Sequence, residues 1–237
     1  MKGLRTLLFV LLGATMLAGD AAVRLPIADT SPLGSAVQNT GTVTVSEATV
    51  SGERLYSYTD NWTVRNVSRK AVVALVETML LRFSNGQSLQ RTLQWEGFFQ
   101  PEVIEPGESL PQTTHDPAIE FHAGGKNGLS YKSTCEVVLR WVEFADGTTA
   151  GDPNYAEGLL RNRAATWKLL TALHDVYRTQ GLEEFRQQLL SRVQPAEVDG
   201  FLEHLRRIHK EGGPEAAVSR LELHLKTAEQ RTAAFGK

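Results

Sequence analysis

The hydrophobic period of the chain changes once, close to Gly151, and this change constrains the fold more than any single motif does. Before it, runs rich in Val, Thr, Tyr, Trp and Phe alternate apolar with polar residues, as strands with one buried face do. After it, apolar residues recur every three or four positions, which predicts amphipathic helices. The sequence therefore predicts a multidomain α+β chain in which a strand-rich part precedes an all-helical part.

Five runs of the first part favour strand, and turn residues separate them. Run 71–83 is apolar on both faces, which predicts a place in the middle of a sheet. Asn85-Gly86 follows it, and this pair favours the two positive-φ positions of a tight hairpin turn. Strands joined by short turns, with no helices between them, predict an antiparallel β-sandwich. The five runs are 42–50, 55–67, 71–83, 88–95 and 134–144.

Two segments of the strand-rich part carry a resemblance. The segment Ile104-Glu-Pro-Gly-Glu-Ser109 and the strand end Val142-Glu-Phe-Ala-Asp-Gly-Thr148 resemble the turn and last strand of immunoglobulin-like domains in uncharacterised exported bacterial proteins. The resemblance spans roughly residues 42–152. It implies an immunoglobulin-like β-sandwich over that range, and it implies no activity.

The helical C-terminal region is predicted over residues 153–237. Asp152-Pro153 supplies an N-cap followed by proline at the first helical position. Gly181 ends the first helix, Pro195 starts a third, and Gly212-Gly213-Pro214 separates the third from a fourth. Short connections predict a small helical bundle. The apolar stripe predicted for the first helix runs through Leu160, Ala164, Trp167, Leu170, Leu173 and Tyr177.

The N-terminal residues predict export. Lys2 and Arg5 precede an apolar run over 7–12, and small residues follow at Gly19 and Ala21, as in a secretory signal peptide over 1–21. The mature chain would then begin at Ala22, in the periplasm or outside the cell. Residues 22–41 are rich in Pro, Gly, Ser, Thr and Asn, which predicts a flexible linker. No other apolar run reaches membrane length, so no membrane association is expected after cleavage.

Cysteine usage and charge exclude two further classes. Cys135 is the single cysteine, so no intramolecular disulfide can form. The formal net charge is -2, and neither half is basic enough to predict nucleic-acid binding.

No motif predicts catalysis, a metal or a cofactor. His204 and His209 are five residues apart, so their side chains diverge on a helix. The other helical histidines, His174 and His224, do not lie at the three- or four-residue spacing that metal ligands on one helix face have. Cys135 on a strand among apolar residues is expected to be core, although His115 or His122 could pair with it as a base. The chain has no Gly-x-Ser-x-Gly elbow. We therefore predict that the protein is not an enzyme.

One aromatic segment is expected to bind. Trp95, Phe98 and Phe99 lie at the end of a strand beside Gly97, where rings can remain exposed at a sheet edge. The leading prediction is an exported, non-enzymatic binding or interaction module at the cell envelope. One alternative is a carbohydrate-binding module that uses Trp95 and Phe99, and another is a hydrolase with a site between the two domains. If the helices do not pack on the sandwich, their apolar stripes predict a protein partner or a homodimer.

Overall fold

The computed structural model describes residues 22–31, 36–50, 53–84, 86–112, 121–122, 133–191 and 199–235. The predicted signal peptide 1–21, and most of the stretch 112–122 whose fold the sequence leaves open, lie outside these residues. Within them the strands come first and the helices follow, so the predicted α+β class and the C-terminal helical segment are confirmed. The elements are β1 (Ala22–Asp29), β2 (Val37–Val50), β3 (Glu53–Asn66), β4 (Val72–Arg82), β5 (Ser88–Glu96), β6 (Ser109–Gln112), β7 (Phe121–His122), β8 (Thr134–Phe144), β9 (Thr149–Gly151), a 3₁₀ turn (Pro153–Ala156), α1 (Glu157–Gln180), α2 (Leu182–Ser191) and α3 (Asp199–Phe235).

The strands form one large, curled, mixed sheet in the order β5-β4-β8-β1-β2-β3-β6, with β7 beside β3 and β9 beside β8. Neighbours are antiparallel except β1 and β8, which run parallel from Ile27 opposite Cys135 to Asp29 opposite Val137. A wholly antiparallel sheet was therefore the wrong prediction at this one pair, and an immunoglobulin-like sandwich is not confirmed. The parallel pair joins strands more than a hundred residues apart, which no local pattern reveals.

Strand β1 joins the two halves of the sheet. Residues 22–26 pair with β2, and residues 27–29 pair with β8. The prediction of a flexible linker over 22–41 is wrong for β1 and for the start of β2, because Val23, Leu25 and Ile27 alternate and pack into the core. The surrounding Pro, Ser and Thr residues masked this short alternation in the sequence. We call β2, β3, β6 and β7 the β2 half, and β4, β5, β8 and β9 the β4 half.

Strand β4 is buried on both faces, which confirms its predicted place inside a sheet. Its concave face carries Leu75, Met79 and Leu81, which enter a core shared by both halves of the sheet. Its convex face carries Ala74 and Val76, which pack under the 3₁₀ turn and the start of α1. A hairpin joins β4 to β5, as predicted, and Gly86 takes φ +87° in that turn.

The helices pack against each other and against the sheet. Leu173 of α1, Phe185 of α2 and Leu221 of α3 share one apolar cluster with Val73 of β4. The apolar stripes of the helices are thus covered within the chain. A protein partner or a homodimer was expected on these stripes only if the helices did not pack on the sheet, so that condition is not met. Within the described residues, no helix combines the length and the apolar character needed to cross a membrane.

Two details of the helices bear on the predictions. The break predicted at residues 212–214 is confirmed as a kink in α3, where Gly213 takes φ +84° and Pro214 begins the second segment. The stripe predicted for α1 is wrong at its start: Leu160 is 44% exposed and Ala164 is exposed, while Leu159 and Thr166 are buried. Packing on the convex face of β4 and β8 selects Leu159, because that face lies beside the first turn of the helix.

Candidate functional site

The turn that follows β5 is where the sheet meets the helices. We call residues 96–100 the junction turn. Phe98 is 6% exposed and Phe99 is 0% exposed. The ring of Phe99 lies 5.3 Å from Phe201 of α3 and 6.4 Å from Trp167 of α1, between ring centroids. The predicted exposure of these two rings is therefore wrong, because the helices cover the sheet edge at this point.

Trp95 is half-buried and packs against the sheet core. A Cβ atom at Gly97 would lie 2.8 Å from the Trp95 ring and 2.8 Å from the carbonyl oxygen of Val73. Only glycine allows this approach, which also lets the Gly97 amide donate to Val73 O at 2.9 Å. Trp95, Phe98 and Phe99 thus contribute packing around the junction turn.

A buried ion cluster joins α1 to the sheet beside this turn. Arg163 of α1 donates from Nε to Glu96 at 3.0 Å and from Nη2 to Glu143 of β8 at 2.6 Å. Its guanidinium group also lies 4.2 Å from the ring centroid of Phe98. Burial raises the pKa of Glu96 against the pull of Arg163. Desolvation acts to lower the pKa of Arg163, but its bond to Glu143 and the charge of Glu96 outweigh it and raise that pKa, so the arginine stays charged.

Helix α3 binds the backbone of the same turn. Arg231 donates to the carbonyl oxygen of Gly97, and to that of Gln100 at 2.6 Å. His224 is buried, and its Nδ1 lies 2.7 Å from the carbonyl oxygen of Phe99. Because a carbonyl only accepts, Nδ1 carries the proton, and Nε2 is a buried acceptor without a partner among the described residues. Burial lowers the pKa of His224 and keeps the ring neutral.

Two adjoining cavities open beside the junction turn and share Phe201. One, of about 170 Å³, lies between β5 and α1, and the other, of about 540 Å³, lies between the turn and the start of α3. We call the two together the junction groove. Its polar lining includes side-chain amides from three different elements, Gln94, Gln100 and Asn162, and Phe201 supplies a half-buried ring.

The charged lining of the groove is partly engaged. Glu203 is paired with Arg206 at 2.5 Å. Arg207 lies 3.0 Å from Nδ1 of His204, and since arginine only donates, His204 accepts at Nδ1 and carries its proton on Nε2. Partial burial lowers the pKa of His204, with Arg207 and Arg220 nearby, so the ring is neutral at pH 7. The groove therefore offers amides, the neutral imidazole of His204 and the guanidinium group of Arg207 to a ligand, while the guanidinium group of Arg163 in its lining is held by Glu96 and Glu143.

The residues considered for metal binding or catalysis are not assembled into a centre. Within the residues that the structure describes, no group of three or more His, Cys, Asp and Glu side chains is placed to hold a metal ion. Cys135 is buried on β8 in the β4 half, whereas β7, which carries His122, pairs with β3 in the β2 half. His115 lies outside the described residues. His174 Nε2 approaches Glu222 at 3.7 Å, and neither residue is among those that line the groove.

Sequence reasoning missed the residues that build the junction, although a signal for one was present. Leu159, Arg163, Thr166 and Leu170 recur at helical spacing along one face of α1, so a charged residue falls within the buried stripe. A lone charge in such a stripe indicates a buried ion pair. A comparison of the chain with known protein families, with curated proteins and with solved structures finds no match.

Proposed function

We propose that the protein is exported to the periplasm or secreted, and that it acts there without catalysis as a binding module. The N-terminal basic, apolar and small-residue pattern supports the export. The observation that carries the binding role is the junction groove, because it combines concave shape, convergent polar groups and a rigid wall.

The rigidity of the groove supports binding with little reorganisation. Its wall is fixed from three directions: by Arg163 on α1, by His224 and Arg231 on α3, and by the hairpin partner β4 behind β5. A site whose walls are already ordered loses less conformational entropy when a ligand binds. The ligand need not be large, because the wider cavity is about 540 Å³.

The lining favours a polar ligand rich in hydroxyl or amide groups. Each of Gln94, Gln100 and Asn162 offers a donor and an acceptor, and Phe201 offers a ring for an apolar face. This combination supports the carbohydrate-binding alternative, with Phe201 in the role that the sequence assigned to Phe99. Hydrolysis is less well supported, because Glu203 and His204 are each engaged by a neighbouring arginine.

We also propose that the sheet is related to immunoglobulin-like sandwiches. Its two halves share a single core, to which Val43 of β2 and Leu139 of β8 both contribute. Arg91 of β5 donates to the hydroxyl of Tyr58 on β3, so strands from opposite halves approach each other across that core. An experimental structure in which the halves separate into two facing sheets would support this relation.

Affinity measurements on the full chain test the binding role. The protein is expressed with its own N-terminus, recovered from the envelope or medium, and screened against oligosaccharides and cell-wall fragments. For any ligand found, Asn162→Ala and Arg207→Ala are each expected to weaken binding about tenfold, the loss of one or two hydrogen bonds. Asn154→Ala, at an exposed amide outside the groove lining, is the matched control.

Two outcomes would contradict the proposal. One is a ligand whose affinity is the same for the wild-type protein and for both groove variants. The other is recovery of the unprocessed chain, beginning at Met1, from the cytosol alone. Sequencing of the mature N-terminus is expected to return Ala22.

A further inference from the structure

A buried carboxyl group lies in the core of the sheet without a cation. Glu77 is on the concave face of β4, between Leu75 and Met79, and is 1% exposed. Among the described residues, no lysine, arginine or histidine pairs with it. Its hydrogen bond comes from Nδ2 of Asn39 on β2, which donates to Oε1 at 2.7 Å.

The groups around Glu77 are poorly matched to a negative charge. Asn39 Oδ1 is buried and has no hydrogen-bond partner among the described residues. Asp29, at the end of β1, accepts hydrogen bonds from the backbone N–H of Asn39 at 2.8 Å and from the backbone N–H of Ser31 at 3.0 Å. An ionised Glu77 would therefore be a buried anion near a second carboxylate and an unsatisfied carbonyl oxygen.

A protonated Glu77 removes both difficulties. Its O–H is a donor of the kind that Asn39 Oδ1 lacks, so a carboxylic acid and an amide can form a cyclic pair with two hydrogen bonds. We propose that a proton on Glu77 acts as a latch inside the sheet, tying β4 to β2 through Asn39 and loosening the seam at Asp29 when it is lost. This seam is where β1 passes from β2 to β8.

The strands packed against Glu77 determine how the latch titrates. Asp29 is the charge that β1 presents, while the registers of β5 and β8 place Leu93 and Leu139 opposite Glu77. On the same face of β5, Arg91 donates a hydrogen bond to the hydroxyl of Tyr58 on β3. On β8, Cys135 lies four residues from Leu139.

The pKa of Glu77 gives the direction of the switch. Burial raises it from 4.5 to about 7, the bond from Asn39 opposes the rise, and the charge of Asp29 adds to it. Because the pKa is higher in the folded state than in the unfolded chain, the stabilisation is complete below pH 4.5 and is lost as the pH rises through about 7. The latch is closed in acid and open above neutrality, with a change in the folding equilibrium constant of up to about 300-fold.

Nuclear magnetic resonance tests the latch at the carboxyl group itself. In the full chain, the side-chain ¹³Cδ resonance of Glu77 is expected to titrate with a midpoint above pH 6. Asp29→Asn removes the neighbouring charge and is expected to lower that midpoint, a shift that a purely structural role for Asp29 would not cause. A Glu77 midpoint near pH 4.5 in the wild-type protein would overturn the proposal.

Hydrogen exchange tests the seam. Two backbone N–H groups report on the seam: that of Asn39 donates to Asp29, and that of Leu139 donates to Ser31 Oγ. After correction for intrinsic exchange rates, we expect the protection of both to fall at least tenfold between pH 5 and pH 8. Glu77→Gln supplies a neutral side chain with the same shape and is expected to abolish that loss, whereas Glu229→Gln on an exposed face of α3 keeps it. The proposal fails if Glu77→Gln exchanges with the same pH dependence as the wild-type protein. If Glu77→Gln does not fold, the titration midpoints of Glu77 in the wild-type protein and in Asp29→Asn test the latch on their own.

Discussion

The sheet–helix junction and the seam inside the sheet both bury carboxyl groups, and they treat them differently. At the junction, Glu96 and Glu143 share the guanidinium group of Arg163. At the seam, Glu77 accepts from the side-chain amide of Asn39, has no cation beside it among the described residues, and lies near the like charge of Asp29. The junction therefore pairs its carboxyl groups with a cation and borders an open groove, whereas the seam is sealed and, in our proposal, depends on a proton. We therefore assign the proposed binding to the junction and the proposed pH response to the seam.

Removing the cation at the junction is expected to have the largest effect on stability. Arg163→Met leaves two buried carboxylates unpaired, and we expect a loss of about 4 kcal/mol in the free energy of unfolding. Urea denaturation at pH 7 measures it. Arg161→Met, at an exposed position on the same helix, is expected to change stability by less than about 0.5 kcal/mol. A loss below about 1 kcal/mol for Arg163→Met would mean that the cluster does not hold the helices on the sheet.

The same substitution at the two carboxyl groups should have opposite signs. At pH 8, Glu77→Gln removes a buried, unpaired charge and is expected to stabilise the protein by up to about 3 kcal/mol. Glu143→Gln removes a partner of Arg163 and is expected to destabilise it by about 2 kcal/mol. Denaturation of both variants at pH 5 and pH 8 separates them, because the gain at Glu77 should be much smaller at pH 5 than at pH 8. Equal signs at pH 8 would show that the two sites are alike.

Close packing of the junction turn can be tested without changing a charge. Gly97→Ala places a Cβ against Val73 O and the Trp95 ring, and we expect a loss of about 2 kcal/mol. Gly200→Ala is the matched control: that position has open space and lies in a helix, so alanine should be neutral or slightly stabilising. Thermal unfolding of the two variants compares them. Equal stability would mean that the turn is not tightly held.

An exposed ion pair supplies the weakest contrast. Lys70 and Asp146 are 2.7 Å apart, and the bonds from Lys70 and Thr148 lower the pKa of Asp146 to about 2. Because this pKa is lowered, the stabilisation is present above pH 3.8 and is lost as the pH falls through about 2. Asp146→Asn should therefore differ only slightly from the wild-type protein at pH 7, and the difference should disappear in strong acid. If Asp146→Asn changed the stability as much as Arg163→Met does, the expected contrast between an exposed and a buried ion pair would be wrong.

The periodic features of the fold could be predicted from the sequence, because they depend on neighbours along the chain. The change from strand to helix near Gly151, the doubly buried β4 and the break at Gly213 all follow from local spacing and turn chemistry. Strand β1 could not be predicted in this way, since its parallel partner β8 is remote and three alternating apolar residues are a weak signal.

The candidate site was predicted only in location. The segment 95–99 lies beside the candidate groove, and the helices bury Phe98 and Phe99, so that Phe99 lines only the smaller cavity whereas Phe201 lines both. Which ring is covered depends on the packing of α1 and α3 against the sheet, and the sequence does not encode that packing locally. Arg163 was the one residue whose spacing could have indicated a buried contact, since it interrupts an apolar stripe.

Chemical-shift mapping locates the ligand on the protein and so tests whether the junction groove binds it. The full chain is titrated with the ligand that the screen returns, and its backbone amide resonances are followed. We expect the largest shifts to cluster at Gln94, Asn162, Phe201 and Arg207. Shifts centred on another surface of the sheet or of the helices, with these four residues unchanged, would contradict it.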